Sequence, residues 1–147
     1  MDAELATRIA ECVREYIAAI GETYDPTGLD ADAPDLVGYY SREGHAFWAL
    51  VTPSGEVLAA VGMRALDREW AELKRMYVRP EARGHGYARY LCEVVVDAAR
   101  ASGYVGIRLD TRRDMTPAIT LYTAMGFVET SDYNANPRAS VFMERRV

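Results

Sequence analysis

A mixed α/β (α+β) fold, in which helices cover the faces of a mostly antiparallel sheet, is predicted for this chain by three observations. Apolar residues recur every three to four positions at the N-terminus, alternate in short runs through the first half, and switch between the two periods in the second half. The length of 147 residues fits one ordinary domain, which buries about 70% of its unfolded surface, so residues 1–147 are read as a single unit. Hydrophobic residues make up 50% and charged residues 27% of the chain, the balance of a soluble globular protein rather than a disordered or fibrous one.

From Ala3 to Ile20, the residues Leu5, Ile9, Val13, Tyr16 and Ile20 form one helical stripe that Gly21 ends. Glu22 to Pro34 is rich in Asp, Gly and Pro and reads as a loop, with a short second helix over Asp35 to Tyr39. Ala46 to Val51 and Val57 to Met63 flank Pro53-Ser54-Gly55 and read as a hairpin. A turn at Asp67-Arg68 leads into a strand from Trp70 to Val78, which completes an antiparallel meander. Helix and strand then alternate. Tyr87, Leu91, Val94, Val95 and Ala98 share one helical face, Gly103 closes that helix, and Val105 to Asp110 forms a strand. Thr116 can cap a helix with Pro117 at its first position and Gly126 just past its end, placing a short helix over Thr116 to Met125. Phe127 to Tyr133 and Ala139 to Glu144 read as the last two strands, around Asn136-Pro137.

The formal charge of -5 argues against a general affinity for nucleic acid or an anionic membrane. Lys74 is the one lysine, so nearly all positive charge is arginine, which suits planar bidentate contacts; a base-composition bias explains this equally well. Cys12 and Cys92 lie inside helical patterns without His or Cys at ligand spacing and read as buried structural thiols. Neither His45 nor His85 forms a metal site with nearby carboxylates. The start Met1-Asp2-Ala3-Glu4 lacks the character of a secretion signal, and no apolar stretch approaches membrane-spanning length, so a cytoplasmic location is expected.

The segment from Leu73 to Ala88 is the most informative. Apolar spacing is three between Leu73 and Met76 but two between Met76 and Val78, as one inserted residue in a strand produces, and a bulge is predicted there. A bulge leaves backbone groups unpaired, and an extended ligand carrying amides, such as pantetheine, can pair with them. Arg83, Gly84 and Gly86 then precede the long helix, where small residues admit a close backbone approach and N–H groups point outward. That geometry suits a pyrophosphate, and Arg83 adds a charge-assisted contact typically worth about 1.5 to 3 kcal/mol. Two glycines in a loop also mark an ordinary turn. A nucleotide-triphosphate loop is set aside because the lysine precedes the glycines, and a dinucleotide fingerprint because position 89 is arginine.

Arg83-Gly84-His85-Gly86-Tyr87-Ala88 resembles the Arg/Gln-x-x-Gly-x-Gly/Ala signature of the GNAT N-acyltransferases at each defined position, with Val78-Arg79-Pro80-Glu81 before it as the strand exit. Leu121-Tyr122-Thr123-Ala124-Met125-Gly126-Phe127 is similar to the helix-to-strand segment of that family. The resemblance covers almost the whole chain and implies the GNAT fold, with about six to seven strands flanked by about four helices. It implies acetyl-CoA as cosubstrate, held by Met76, Tyr77 and Val78 and by Arg83, Gly84, His85, Gly86, Tyr87 and Ala88. It also implies transfer to an amine without an acyl-enzyme intermediate, and leaves a homodimer open because many members dimerise. Glu72 to Met76 and Leu109-Asp110-Thr111 resemble a group of small bacterial members.

Such a transfer needs a deprotonated amine, a stabilised oxyanion and a proton for the departing thiolate. Tyr122 occupies the position whose phenol commonly lies near the CoA sulfur in the family and is the candidate acid; the alternative is a tyrosine that packs between helix and sheet. The Met76 N–H is the candidate oxyanion donor. A lysine-like amine with a pKa near 10.4 leaves about one molecule in a thousand reactive at neutral pH, so a base or an ordered water is required. Glu72 on the central strand is the candidate, with an ion-paired structural residue as the equal alternative, and Asp110 is the second candidate. His85 also reads as an exposed loop residue, and Tyr39, Tyr40, Phe47, Trp48 and Tyr133 as acceptor-pocket lining or as core. The chain is thus read as an N-acetyltransferase acting on a small-molecule amine. Its rivals are an enzyme acting on a protein N-terminus or lysine, and a non-catalytic acyl-CoA-binding regulatory domain.

Overall fold

Asp2 starts the first helix by accepting a hydrogen bond from the Leu5 N–H at 2.7 Å, and α1 (Ala3–Ala19) buries Ile9, Cys12, Val13 and Ile17 in the computed structural model, which describes residues 2–147. After the Asp-rich loop, a 3-10 turn (Ala33–Asp35) leads into α2 (Leu36–Tyr40), with Asp35 accepting from the Gly38 N–H. The meander follows as β1 (Ala46–Val51), β2 (Val57–Ala65) and β3 (Trp70–Val78). The remaining elements are α3 (Tyr87–Ala101), β4 (Gly106–Thr111), α4 (Thr116–Ala124), β5 (Val128–Thr130) and β6 (Val141–Arg146). The strands form one six-stranded sheet in the order β1-β2-β3-β4-β6-β5, antiparallel except where β3 meets β4.

The predicted bulge is present and reverses the strand's alternation. Gly62 pairs with Lys74 and Ala60 with Tyr77, so two steps along β2 span three along β3. Arg75 takes a left-handed φ of 58° within that extra step. Ala71 and Leu73 before it pack on the α3 and α4 side, as do Met76 and Val78 after it, whereas Tyr77 joins the core under α1 and α2. One inserted residue keeps apolar side chains on the correct faces while bending the strand.

Several elements differ from the sequence reading, among them β6, which runs from Val141 to Arg146 instead of Ala139 to Glu144. The strand expected over Phe127 to Tyr133 ends at Thr130, because Asp132, Asn134 and Asn136 turn the chain with their own side chains. Asp132 Oδ1 accepts from the Asn134 and Ala135 N–H groups, Asn134 Oδ1 from Asn136 N–H, and Asn136 Oδ1 from Arg138 N–H. The cap of α4 is Met115, with no side-chain bond, and Thr116 is already helical. The buried face of α3 is Leu91, Cys92, Val95, Val96 and Ala99, one position on from Val94 and Ala98. Cys12 and Cys92 are both buried free thiols, and burial pushes each up, Cys92 to about 11.

A buried ion network fastens the loop after α1 to the bulge. Arg75 Nη2 lies 2.5 Å from Asp32 Oδ1 and Nη1 lies 3.1 Å from Asp30 Oδ1, while Arg138 reaches both Asp30 oxygens at 2.8 and 2.9 Å. Tyr40 Oη donates to Asp32 Oδ2 at 2.7 Å. Burial alone would raise the Asp30 and Asp32 carboxyls, but hydrogen bonds and charge from Arg138 and Arg75 outweigh it, and both lie below the ordinary carboxylate range. Their contribution to stability is present above the unfolded value of about 3.9 and is lost as pH falls through the lower folded values. Arg75→Met should cost about 3 to 5 kcal/mol by leaving the buried Asp32 carboxylate without a cation, while Asp30 keeps Arg138. In urea titrations between pH 7 and pH 3, this variant should also lose less stability in acid than the parent.

Candidate active site

The last pair of the parallel ladder is Glu72 with Arg108, yet β4 continues alongside β6 as far as Thr111. The two strands part there, and a cavity of about 920 Å³ lies between their C-terminal halves, bounded by α1, α3, α4 and the loops that follow α1, β3, β4 and β5. From Leu73 onward the β4-facing edge of β3 carries backbone groups without a ladder partner, and Met76, Tyr77 and Val78 line the cavity.

At one end, Gly84 and Gly86 take left-handed φ values of 85° and 77°, and a Cβ on either would meet nothing within 4 Å. Gly86 caps α3 without a side-chain bond, so the first N–H groups of a 15-residue helix lie free beside the cavity. Gly84, Gly86, Tyr87 and Ala88 line it, as does Arg83, whose Nε donates to the Val78 carbonyl at 3.2 Å. His85 is exposed, stacks on Tyr87 with ring centroids 5.5 Å apart, and is not part of the cavity wall.

Tyr122 projects from α4 and is 5% exposed, with its ring 5.8 Å from that of Phe127. Gly126, at φ 89°, closes α4, and the Phe127 N–H donates to the Tyr122 carbonyl, which fixes the residue from below. Tyr122 both packs in the core and forms cavity wall. Among the described residues Arg108 Nε is the one sealed side-chain polar atom without a partner, so the unbonded Tyr122 hydroxyl opens on the cavity. Burial pushes this phenol well above its ordinary range, and the nearby acidic groups of Cys92, Tyr16 and Asp110 act in the same direction.

Glu72 is wholly buried and does not line the cavity. Its Oε1 accepts from Arg64 Nε at 2.5 Å, and its Oε2 accepts from Tyr133 Oη at 2.5 Å and Asn134 Nδ2 at 3.1 Å. Asp110 does line the cavity, and its Oδ2 accepts from Asn134 Nδ2 at 2.5 Å and Asn136 Nδ2 at 3.2 Å. Asn134 therefore ties the two carboxylates together. Tyr39, Tyr40, Phe47, Trp48 and Tyr133 are absent from the wall, where Tyr16, Tyr77, Tyr87 and Tyr122 are the aromatic residues. Sequence reasoning missed Asn134, Asn136 and Arg138. The run of Asp and Asn from 132 to 136 was the available signal, being a turn composition inside an expected strand.

A family model described as Acetyltransferase (GNAT) family matches residues 11–127. An uncharacterised N-acetyltransferase of Escherichia coli (strain K12) is 35% identical over 130 residues, spanning 85% of this chain and 77% of that protein. An IAA acetyltransferase of Azospirillum brasilense is 36% identical over 149 residues, spanning 98% of this chain and 94% of its own length. Among solved structures, an acetyltransferase of the GNAT family from Staphylococcus aureus Mu50 superposes with a TM-score of 0.88 at 18% identity, over 99% of this chain and 95% of that one. At that identity the likeness is one of fold.

The open space at Gly86 separates its backbone role from steric fit. Gly86→Ala should cost only the left-handed conformation of a residue with a side chain, about 1 to 2 kcal/mol, measured as a shift in the urea unfolding midpoint with an unchanged slope.

Proposed function

The chain belongs to the acetyltransferase (GNAT) family and is an acyltransferase, and from that premise we propose that it moves an acetyl group from acetyl-CoA directly to an amine of a small molecule. The observation that carries this reading is the cavity at the strand fork, where an unpaired strand edge, a glycine-lined helix N-terminus and a solvent-reached phenol line one continuous wall. The β3 edge at Met76, Tyr77 and Val78 suits the amides of pantetheine, and Arg83, Gly84, Gly86, Tyr87 and Ala88 suit the pyrophosphate, with His85 stacked beside them. Acetyl-CoA supplies the activated thioester. The Met76 N–H faces the developing oxyanion as a fixed donor.

Tyr122 acts on the departing sulfur. A phenol raised by burial stays protonated across the physiological range and is a weaker acid than a thiol near pKa 8.5, so its part is to hold the sulfur by a donated hydrogen bond as charge develops there. For Glu72 to take a proton itself, one of its donors would have to swing away. With both oxygens occupied, it serves instead to position Asn134, and Asp110 is the carboxylate that meets the acceptor amine.

A protein N-terminus or lysine is the rival acceptor. Support for a small molecule comes from the loops around Gly28 and Asn134 to Arg138, which wall the acceptor end and are joined through Arg138 and Asp30.

Acetyl-CoA at about 100 times its dissociation constant should stabilise the protein by roughly 2.7 kcal/mol, seen as a rise in thermal midpoint that NAD and ATP do not give. Gly86→Glu should remove that rise by bringing a carboxylate into the anion site; an unchanged rise would place the cofactor elsewhere. Tyr122→Phe should keep the rise and slow turnover about a hundredfold, measured as CoA release, and an unaltered rate would leave Tyr122 a packing residue.

A further inference from the structure

We infer that the acceptor is a zwitterion, a free amino acid or a close relative, held with its carboxylate on Lys74 and its ammonium on Asp110. This assignment rests on the acyl-transfer reading of the same cavity and names its substrate class. The parallel register pairs Trp70 with Gly106, Ala71 with Ile107 and Glu72 with Arg108. Continued by two residues past the end of the ladder, it sets Lys74 and Asp110 on opposite sides of the fork, both on the sheet face that carries Glu72 and Arg108. Both line the cavity, and no ion pair within 4.0 Å joins them.

Each of the two carries an uncommitted charge. The nearest carboxylate oxygen to Lys74 Nζ is Glu72 Oε1 at 3.9 Å, and that oxygen already accepts from Arg64 at 2.5 Å. Lys74 Nζ makes no hydrogen bond among the described residues although the side chain is only 18% exposed and lines the cavity, so the three donors of a sheltered ammonium are unspent there. Two cations, Arg64 and Lys74, thus share one carboxylate, which leaves a surplus positive charge on this wall. Opposite it, Asp110 receives both asparagine amides on Oδ2, leaving Oδ1 without a protein donor and the carboxylate without a cation. The other basic residues at this end are committed: Arg75 to Asp30 and Asp32, Arg138 to Asp30 and Glu22, and Arg112 to Asp114 and Glu22.

One ligand that carries both charges neutralises both walls, and a simple amine or a peptide N-terminus answers only Asp110. The free Asp110 oxygen takes one proton from the ammonium. The nitrogen then bonds to the acetyl carbon as the carbon–sulfur bond breaks, and the second proton leaves with the thiol.

The test is a CoA-release screen of the common amino acids, followed, for the best of them, by its carboxamide and its decarboxylated amine. The free amino acid should exceed both in kcat/KM by about tenfold or more, the value of one charge-assisted hydrogen bond. Lys74→Met should bring that ratio close to one, and Lys74→Arg should retain most of it, which separates charge from a general loss of structure. A carboxamide used as well as its parent, or a ratio unmoved by Lys74→Met, overturns the zwitterion and leaves acyl transfer standing. No turnover on any amine, in protein whose thermal midpoint still rises with acetyl-CoA, overturns both.

Discussion

The contact between Arg75 and Asp32 is the one on which the rest of the site depends. Arg75 occupies a left-handed backbone conformation that costs a residue with a side chain about 1 to 2 kcal/mol, and nothing local favours it there. The guanidinium is held by a buried carboxylate that also receives the Tyr40 hydroxyl. This contact fixes the extra residue at one place in β3, and the bulge directs Met76 and Val78 toward α3 and Tyr77 toward α1. Without it the left-handed residue would lose the buried partner that offsets its cost.

The consequences run outward through the two loops that share these ions. Asp30 binds Arg75 and Arg138 at once, so the loop after α1 and the loop before β6 are joined through one carboxylate. Asn134, between Glu72 and Asp110, joins the second loop to β3 and β4. Residues more than a hundred positions apart thereby set the same wall. Because these groups are buried, salt screens them far less than it would screen surface pairs.

Much of the fold was legible because periodicity reports burial. The stripe of α1, the meander and the bulge all follow from where apolar residues fall, and in the bulge a break in spacing between Leu73 and Met76 marked one extra residue. Hydropathy failed where side chains, not ladders, satisfy the backbone. Tyr133 looked like strand, but Asp132 and its asparagine neighbours take the chain's N–H groups for themselves. β6 ends at Arg146 rather than Glu144 because its register with β4 decides its length. In the site, each local signal, Arg83 to Ala88 and Leu121 to Phe127, is a run of residues that are neighbours in the sequence. The ties among Asp30, Arg75 and Arg138, and between Glu72 and Asn134, join distant segments and leave no trace in any one of them.

The parting of β3 from β4 also divides labour between kinds of atom. One wall of the cavity offers main-chain N–H and C=O groups from β3 and the start of α3, which every residue type except proline provides in full. The facing wall offers side chains, Asp110, Asn134 and Asn136, and Lys74 is the β3 side chain set across from them. Mutation rewrites side chains readily and main chain hardly at all. Descendants of such a scaffold can therefore exchange one small molecule for another through a handful of codons while the far wall stays as it was.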